Sequence, residues 1–190
     1  MRAQSLDALR EVAPDLPTFD EALELLGAAG VGLHVDLKWH GYEAAAAEAI
    51  RKHGLVERTV VSSFLAGSLV RIAEVEPTLR RGYTYPFDRR GVSQKRMLAP
   101  VTAAMLVGLR KTLPLRIGGL LDRAQASVAM LHHWVVSRAA VDRAHARGAA
   151  VFAWTVDDRV TLDRVVAAGV DAVVTNDPRI FGSPVYTQKP

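Results

Sequence analysis

Short apolar segments alternate with longer segments of helical periodicity along most of this chain. Segments with a period of two or a run of β-branched residues predict strands. These segments are 31–38, 59–64, 80–85, 127–131, 150–156 and 172–175. Between them, the apolar spacing predicts helices at 18–30, 43–53, 66–74, 97–123 (broken at Pro114), 137–147 and 157–168. Strands and helices in regular alternation are typical of βαβ units and a parallel sheet.

The first predicted helix has a clear start signal, which also sets the domain boundary. Thr18 and Glu21 form a capping box, in which each side chain satisfies a free backbone amide of the first turn. Residues 1–15 lack any such pattern, and we interpret them as a lead-in segment. We therefore expect one domain over 16–182, followed by a tail at 183–190.

The first predicted strand separates the two possible α/β architectures. In an open doubly wound sheet, helices cover both faces, so a central strand is apolar throughout. Here His34, Asp36 and Lys38 share one face of the strand, and an open sheet would bury all three beneath a helix. In a (β/α)₈ barrel that face points inward, and its last residues reach the carboxyl-terminal mouth. The pattern therefore predicts a parallel TIM-type barrel.

The chain length limits how much of a barrel it can form. A complete barrel takes about 250 residues, whereas this chain has 190. The difference corresponds to roughly two βα units of about 30 residues each. We therefore expect an incomplete α/β barrel of about five or six βα units, left open or completed by another copy.

Composition excludes several classes of protein. With 49% hydrophobic and 23% charged residues, the chain is too apolar to be disordered. It contains no cysteine, which excludes disulfides, thiolate metal sites and a cysteine nucleophile. The net charge of +4 is too small to predict nucleic-acid binding, although it suits a small anionic substrate.

Targeting segments and membrane spans are not predicted either. The first thirty residues contain acids throughout and no unbroken apolar run, unlike a secretory signal. The longest apolar stretch, 97–121, is interrupted by charged residues and Pro114, and a bilayer span requires about 20 apolar residues. We therefore expect no membrane span and a cytoplasmic protein.

The candidate chemistry lies on the polar face of the first strand. Phosphate-binding loops, nucleophile elbows and HExxH pairs are all absent from the sequence. Asp36 carries a hard oxygen ligand suited to Mg²⁺ or Ca²⁺, and Lys38 could neutralise a phosphate oxygen. A buried Asp36–Lys38 ion pair that fixes the barrel interior is an equally good interpretation.

Aromatic residues near the ends of two other strands are also candidates. Trp154, in strand 150–156, offers a flat apolar wall to the carbon skeleton of a substrate, or it packs in the core. Phe64 ends strand 59–64 in a similar position. His132 and His133 are adjacent, so they cannot both face one ion, and we interpret them as edge or loop residues.

Five segments, taken together and in order, resemble the glycerophosphodiester phosphodiesterase family. They cover most of the chain from about residue 15 to 180. The matching segments are LPTFDEAL (16–23), LHVDLK (33–38), VVSSF (60–64), AWTVD (153–157) and GVDAVVTNDP (169–178).

The resemblance implies a (β/α)₈ barrel that hydrolyses glycerophosphodiesters, such as glycerophosphocholine, to glycerol 3-phosphate and an alcohol. Members of the family use a divalent metal, commonly Mg²⁺ or Ca²⁺, and two histidines as acid and base. By resemblance, Asp36 takes the place of a metal-binding glutamate and Lys38 is the catalytic lysine near the phosphate. Trp154 and Phe64 correspond to substrate-binding positions beside the glycerol or head group.

The chain also departs from the family pattern. The His-Arg-Gly turn, the Glu-x-Asp metal pair and the His-Asp segment of the family do not occur in it. The resemblance therefore covers the C-terminal two-thirds of the barrel domain, with the N-terminal strands missing, and we expect weak or absent metal binding and no activity from the chain as given.

Three hypotheses follow from this departure. The chain is phosphodiesterase machinery that has lost its N-terminal strands. Alternatively, it is a catalytically dead barrel remnant that binds or assembles, with self-association through its exposed strand edge. The third hypothesis is a rebuilt hydrolase in which His34 or His40 replaces the lost bases.

Overall fold

Six strands form one parallel sheet in the computed structural model, which describes residues 5–86 and 99–182. The strands are β1 (Leu33–Leu37), β2 (Thr59–Ser63), β3 (Arg80–Tyr85), β4 (Val128–His132), β5 (Ala150–Trp154) and β6 (Ala172–Val173). Their order in the sheet is the order in the sequence, as repeated βαβ units require. The sheet curls into a half-barrel. This confirms the prediction of an incomplete parallel α/β barrel.

The described part of the chain has seven helices, and those whose residues enter the core cover the convex side of the half-barrel. They are α1 (Leu6–Arg10), α2 (Phe19–Ala28), α3 (Glu43–Lys52), α4 (Ala66–Val75), α5 (Ala99–Ala124), α6 (Arg138–His145) and α7 (Arg159–Ala167). Short 3₁₀ turns lie at Val56–Arg58, His133–Val135 and Pro178–Phe181. Within the part of the chain that the structure describes, no helix is long and apolar enough to cross a membrane.

The register of the strands places the polar face of β1 on the concave side. Asp36 pairs with Ser62 of β2, and Ser62 pairs with Gly82 of β3. Because side chains alternate between the two faces of a strand, residues in one register row share a face. Leu33 and Leu37, on the other face of β1, pack in the core with the helices, so the polar face of the first strand points away from the helices and into the half-barrel, as predicted.

The apolar core lies between the convex face and the helices, and it has two parts. The larger part joins α5, α6 and α7 to strands β4 and β5, with Leu131, Val151 and Ala153 at most 1% exposed. The smaller part packs α2, α3 and α4 onto β1 and β2, and Ile50 and Val61 are fully buried within it.

The helix starts agree closely with the predicted signals. The amide of Glu21 donates to the Thr18 hydroxyl at 3.2 Å, and the amide of Thr18 donates to the Glu21 carboxylate at 2.6 Å. The capping box is thus confirmed. Within the predicted lead-in, α1 is tied to this helix by an ion pair between Arg10 and Glu21 at 3.0 Å.

The predicted break at Pro114 is wrong, because α5 is continuous through this residue. Proline removes one intrahelical hydrogen bond and usually kinks or ends a helix. Here Leu113, Ile117 and Leu121 form one face of α5 and are at most 4% exposed. Their packing in the core holds the helix together across the proline. The predicted loop 86–96 and the tail 183–190 lie, apart from Pro86, outside the described residues.

Candidate functional site

A pocket of about 270 Å³ opens on the concave face of the half-barrel, at the carboxyl ends of the strands. Barrel enzymes hold their active sites at this end. The four residues predicted as site residues, Asp36, Lys38, Phe64 and Trp154, all line the pocket. The other lining residues are His34, Ser62, Thr84, Met130, Thr155 and Val174.

One side of the pocket, the polar wall, consists of His34, Asp36, Lys38 and Ser62. The Lys38 ammonium donates to one oxygen of Asp36, and the Ser62 hydroxyl donates to the other at 3.1 Å. His34 Nε2 lies 2.8 Å from the Ser62 oxygen. Since the hydroxyl has a single proton and gives it to Asp36, His34 Nε2 is the donor in that bond.

The ion pair between Asp36 and Lys38, which one of the two interpretations of the sequence predicted, is present. However, it is not buried. The Lys38 side chain is 62% exposed and that of Asp36 is 28% exposed. The pair lies on the surface of the pocket, where a bound ligand can contact the ammonium group.

The histidine of the polar wall is poised to remain neutral. Partial desolvation lowers the pKa of His34, although the nearby Asp36 charge opposes that effect. A neutral imidazole that donates through Nε2 leaves Nδ1 as its acceptor. His34 therefore acts as a hydrogen-bonding group of the wall rather than as a cation.

The described residues do not make a divalent metal site around Asp36. Both of its carboxylate oxygens are engaged, one by Lys38 and one by Ser62. Mg²⁺ and Ca²⁺ take about six or more oxygen ligands, and residues 5–86 and 99–182 contain no group of three or more metal-ligating side chains that could hold an ion. The donor set around Asp36 thus does not fit the expected cation.

Next to the polar wall lies an aromatic cluster, the aromatic wall: Phe64 and Trp154 line the pocket, and His132 packs behind Trp154 without lining it. The Trp154 ring meets Phe64 edge-to-face with centroids 5.8 Å apart, and it meets His132 edge-to-face at 4.8 Å. Its indole N–H donates to the carbonyl of Met130 at 3.0 Å. These contacts fix Trp154 as a rigid pocket wall.

His132 was interpreted from the sequence only as an edge or loop residue. It ends β4 directly beside Trp154, and burial, with smaller contributions from His133 and Arg164, lowers the pKa of His132 to about 4. Its Nδ1 accepts from the Trp134 amide at 3.3 Å, so the proton of the neutral ring sits on Nε2. Its contact with Trp154 comes from the pairing of β4 with β5, and no pattern along the chain indicates it.

The floor of the pocket contains a threonine that sequence analysis also missed. Thr84 is 5% exposed, and its hydroxyl has no hydrogen-bond partner among the described residues. Beside it in the same strand, Gly82 packs closely against its neighbours. A Cβ atom there would come within 2.9 Å of Met130 Cγ and 3.2 Å of Ser62 Cβ.

The loop after β1 holds a second polar cluster that is separate from the pocket lining. His40 Nδ1 lies 2.9 Å from the Ser68 hydroxyl, which donates to Glu43 at 2.6 Å. Desolvation raises the pKa of Glu43, but hydrogen bonds from Ser68, its own amide and the Gly41 amide outweigh this effect and leave the pKa lowered. The cluster anchors the loop, and His40 is not among the residues that line the pocket.

Comparison with known proteins agrees with this geometry. The model of the glycerophosphoryl diester phosphodiesterase family matches residues 2–180. The chain belongs to this family. The resemblance stated from the five sequence segments is thereby confirmed.

Two similar proteins are named as glycerophosphodiester phosphodiesterases. A glycerophosphodiester phosphodiesterase of Caldanaerobacter subterraneus subsp. tengcongensis is 25% identical over 168 residues, covering 86% of this chain and 59% of that protein. Glycerophosphodiester phosphodiesterase GDPD4 of Arabidopsis thaliana is 31% identical over 176 residues, covering 87% and 45%. The chain thus spans about half the length of these relatives.

Solved structures agree on the fold. A glycerophosphodiester phosphodiesterase of Agrobacterium tumefaciens has a TM-score of 0.62 and 19% identity, over 87% of this chain and 61% of its own. A phosphodiesterase of Oleispira antarctica, solved in complex with the product sn-glycerol-3-phosphate, has a TM-score of 0.60 and 23% identity, over 84% and 57%. These family structures are TIM barrels, of which the half-barrel reproduces a part.

Proposed function

We propose that this half-barrel holds the phosphate and carbon skeleton of a glycerophosphodiester, as part of a barrel that hydrolyses such diesters to glycerol 3-phosphate and an alcohol. One observation carries the proposal: the exposed ammonium group of Lys38 and the indole of Trp154 face one pocket. A phosphodiester joins an anion to an apolar skeleton, and the two walls match these two parts.

Each wall has its own task in this proposal. Lys38 binds a phosphate oxygen, while Asp36 and the Phe64 ring, 5.7 Å from the ammonium, hold its side chain in place. Trp154 and Phe64 contact the carbon atoms of the glycerol or the head group.

We further propose that the chain alone binds such ligands without turning them over. Hydrolysis requires a base for the attacking water and an acid for the leaving alkoxide. The Nε2 proton of His34 is committed to Ser62, and the metal that the family resemblance implies has no matching donor set around Asp36. The described residues therefore supply binding groups, and no catalytic step is assigned to them.

Binding is tested by titrating the chain with glycerol 3-phosphate in a calorimeter, in buffer that contains EDTA. We expect saturable binding that Lys38→Met weakens about tenfold or more, because a charge-assisted hydrogen bond is lost. The matched control is Lys52→Met, since Lys52 pairs with Asp20 outside the pocket, and it should change the affinity less than about twofold. Absence of binding, or equal effects of the two variants, would contradict the proposal.

Turnover is tested separately, by following choline release from glycerophosphocholine in EDTA, Mg²⁺ and Ca²⁺. We expect no release above the buffer rate under any of the three conditions. Metal-dependent release that Asp36→Ala abolishes would overturn the proposed inactivity and favour the rebuilt hydrolase, in which His34 serves as the base.

The free strand edge favours a second function, assembly. In the described sheet β1 pairs only with β2 on one side, and an unpaired edge offers backbone groups to another strand. We propose that copies of the chain associate through this edge. Light scattering over a wide concentration range should show association that grows with concentration, and a monomer throughout the range would rule out this function.

A further inference from the structure

A second groove, of about 370 Å³, lies outside the half-barrel between α5 and α7, beside the 3₁₀ turn that follows β4. The residues that line it are Leu106, Val107, Arg110, Trp134, Thr161 and Arg164. None of them lines the pocket of the half-barrel. A binding site here would therefore be independent of the proposed diester site.

Two arginines give the groove a positive charge. Arg164 donates to the carbonyl of His133 at 3.0 Å, and this bond fixes its guanidinium at the groove. Burial lowers the pKa of Arg164, and the nearby Arg110 lowers it further, while Asp158 opposes both effects. The two guanidinium groups thus lie close enough to disfavour each other's charge, and a bound anion would relieve this repulsion.

The acid that raises the pKa of Arg164, Asp158, is bound to Thr161 at the edge of the groove and forms no ion pair with Arg164 among the described residues. One oxygen of Asp158 accepts from the Thr161 amide at 2.8 Å, and the other accepts from the Thr161 hydroxyl at 2.7 Å. In residues 5–86 and 99–182, no ion pair between Arg110 and a carboxylate is formed. The charge of the groove is therefore not neutralised by an acid paired with Arg110.

Two of the other lining residues, Trp134 and Val107, are apolar and accessible. Trp134 is 50% exposed and Val107 is 53% exposed. The indole of Trp134 stacks on the His133 ring, with centroids 5.9 Å apart and an angle of 28° between the planes. The His133 ring thus packs against one face of the indole. Trp134 lines the groove together with Arg110 and Arg164.

We propose that this groove binds a small organic phosphate, with the phosphate on Arg110 and Arg164 and an apolar or aromatic body against Trp134 and Val107. Guanidinium groups bind phosphate oxygens through paired, charge-assisted hydrogen bonds. A concave volume of about 370 Å³ falls within the range of small-molecule sites, roughly 300–1,000 Å³.

The experiment uses phenyl phosphate as the probe, with inorganic phosphate and phenol as its two separate parts. Titration calorimetry on the full chain should show binding of phenyl phosphate that is tighter than binding of phosphate, and no binding of phenol alone. Increasing salt should weaken the binding, because the groove is open to solvent.

Matched variants assign the binding to the groove. Arg110→Gln should weaken phenyl phosphate binding about tenfold or more. Arg123→Gln changes an exposed arginine about 20 Å further along the same helix and should leave the binding unchanged. Trp134→Leu should remove the preference for phenyl phosphate over inorganic phosphate. Thermal melts check that each variant is folded.

Lys38→Met distinguishes this site from the pocket of the half-barrel, since this variant should keep the phenyl phosphate binding that Arg110→Gln weakens. Loss of binding in Lys38→Met would assign the phosphate to the pocket and overturn the proposal. Equal affinity of the Arg110→Gln variant would do the same. So would binding to anionic phospholipid vesicles without any binding of phenyl phosphate, which would indicate a membrane-binding surface.

Discussion

The two walls of the pocket in the half-barrel are held in place by different forces. The polar wall stands on β1 and β2 at an end of the sheet, where its side chains hold one another through hydrogen bonds and remain open to solvent. The aromatic wall is set mainly on β4 and β5 within the sheet, with Val151 and Ala153 fully buried behind it. The charged groups of the pocket thus lie on solvent-exposed side chains, whereas its apolar surface is formed by an indole that several contacts hold in place.

The largest effect is expected from Trp154→Ala in the aromatic wall. The variant loses both edge-to-face contacts and the hydrogen bond to Met130, and should lower the free energy of unfolding by about 3 kcal/mol. Urea unfolding followed by circular dichroism measures this change. The control is Trp39→Ala on the loop after β1, where the side chain is 52% exposed. This variant should lower the free energy of unfolding by about 0.5 kcal/mol. Similar losses would break the comparison.

The second prediction concerns how the free energy of unfolding depends on pH through His132. In the unfolded chain His132 titrates near its ordinary pKa of about 6.5, whereas in the folded chain burial lowers its pKa to about 4. Between these two values the unfolded chain binds more protons, so stability falls as the pH falls from about 6.5 to 4. This single group accounts for a loss of about 2–3 kcal/mol, after allowance for its partial exposure.

The variant His132→Asn tests that contribution. The asparagine side chain does not titrate, and its amide oxygen can still accept the hydrogen bond from the Trp134 amide. Its free energy of unfolding should depend less on pH between 6.5 and 4 than that of the parent. His34→Asn in the polar wall should flatten the same curve less, since this ring is more exposed and the Asp36 charge opposes the desolvation that lowers its pKa. A larger effect at His34 would reverse the comparison between the walls.

The third prediction uses two buried threonines that differ in one hydrogen bond. The Thr59 hydroxyl donates to Leu55 at 2.8 Å, whereas that of Thr84 has no partner among the described residues. Thr59→Val should therefore lower the free energy of unfolding by about 1 kcal/mol. Thr84→Val should leave it unchanged or raise it by up to about 1 kcal/mol. Equal destabilisation would show that Thr84 is satisfied in the free protein.

The smallest effect on stability is expected from Asp36→Asn in the polar wall. A partly exposed ion pair contributes about 0–1 kcal/mol, so urea unfolding should change little. Because the Lys38 charge is no longer neutralised, glycerol 3-phosphate should bind about threefold more tightly in EDTA. Asp20→Asn, outside the pocket, should leave the affinity unchanged. Weaker binding after Asp36→Asn would instead give this carboxylate a direct role in holding the ligand.

Much of this fold was predictable because the deciding signals are local. The capping box at Thr18 is read within four residues, and the period of two in β1 shows which side chains share a face. The choice of a barrel followed from the cost of burying Asp36 and Lys38 under a helix. Each of these arguments uses a spacing within one element.

The parts that sequence analysis missed depend on contacts between elements. The environment of His132 is created by its register opposite Trp154, which no spacing along the chain shows. Likewise, Pro114 is tolerated because distant core residues hold α5 together. The partnerless hydroxyl of Thr84 emerges only when strands and side chains are placed around it.

The depth of the pocket depends on a side chain that Gly82 does not have. A methyl group at this position would collide with Met130 and crowd Ser62, and Met130 is the member of the pair that can swing upward into the pocket. Because Gly82 has no side chain, the Met130 thioether can pack close to the backbone of β3. The space above the thioether then remains part of the pocket. Gly82 thus sets how low Met130 lies in the floor of the pocket, on a strand whose charged residues do not line it.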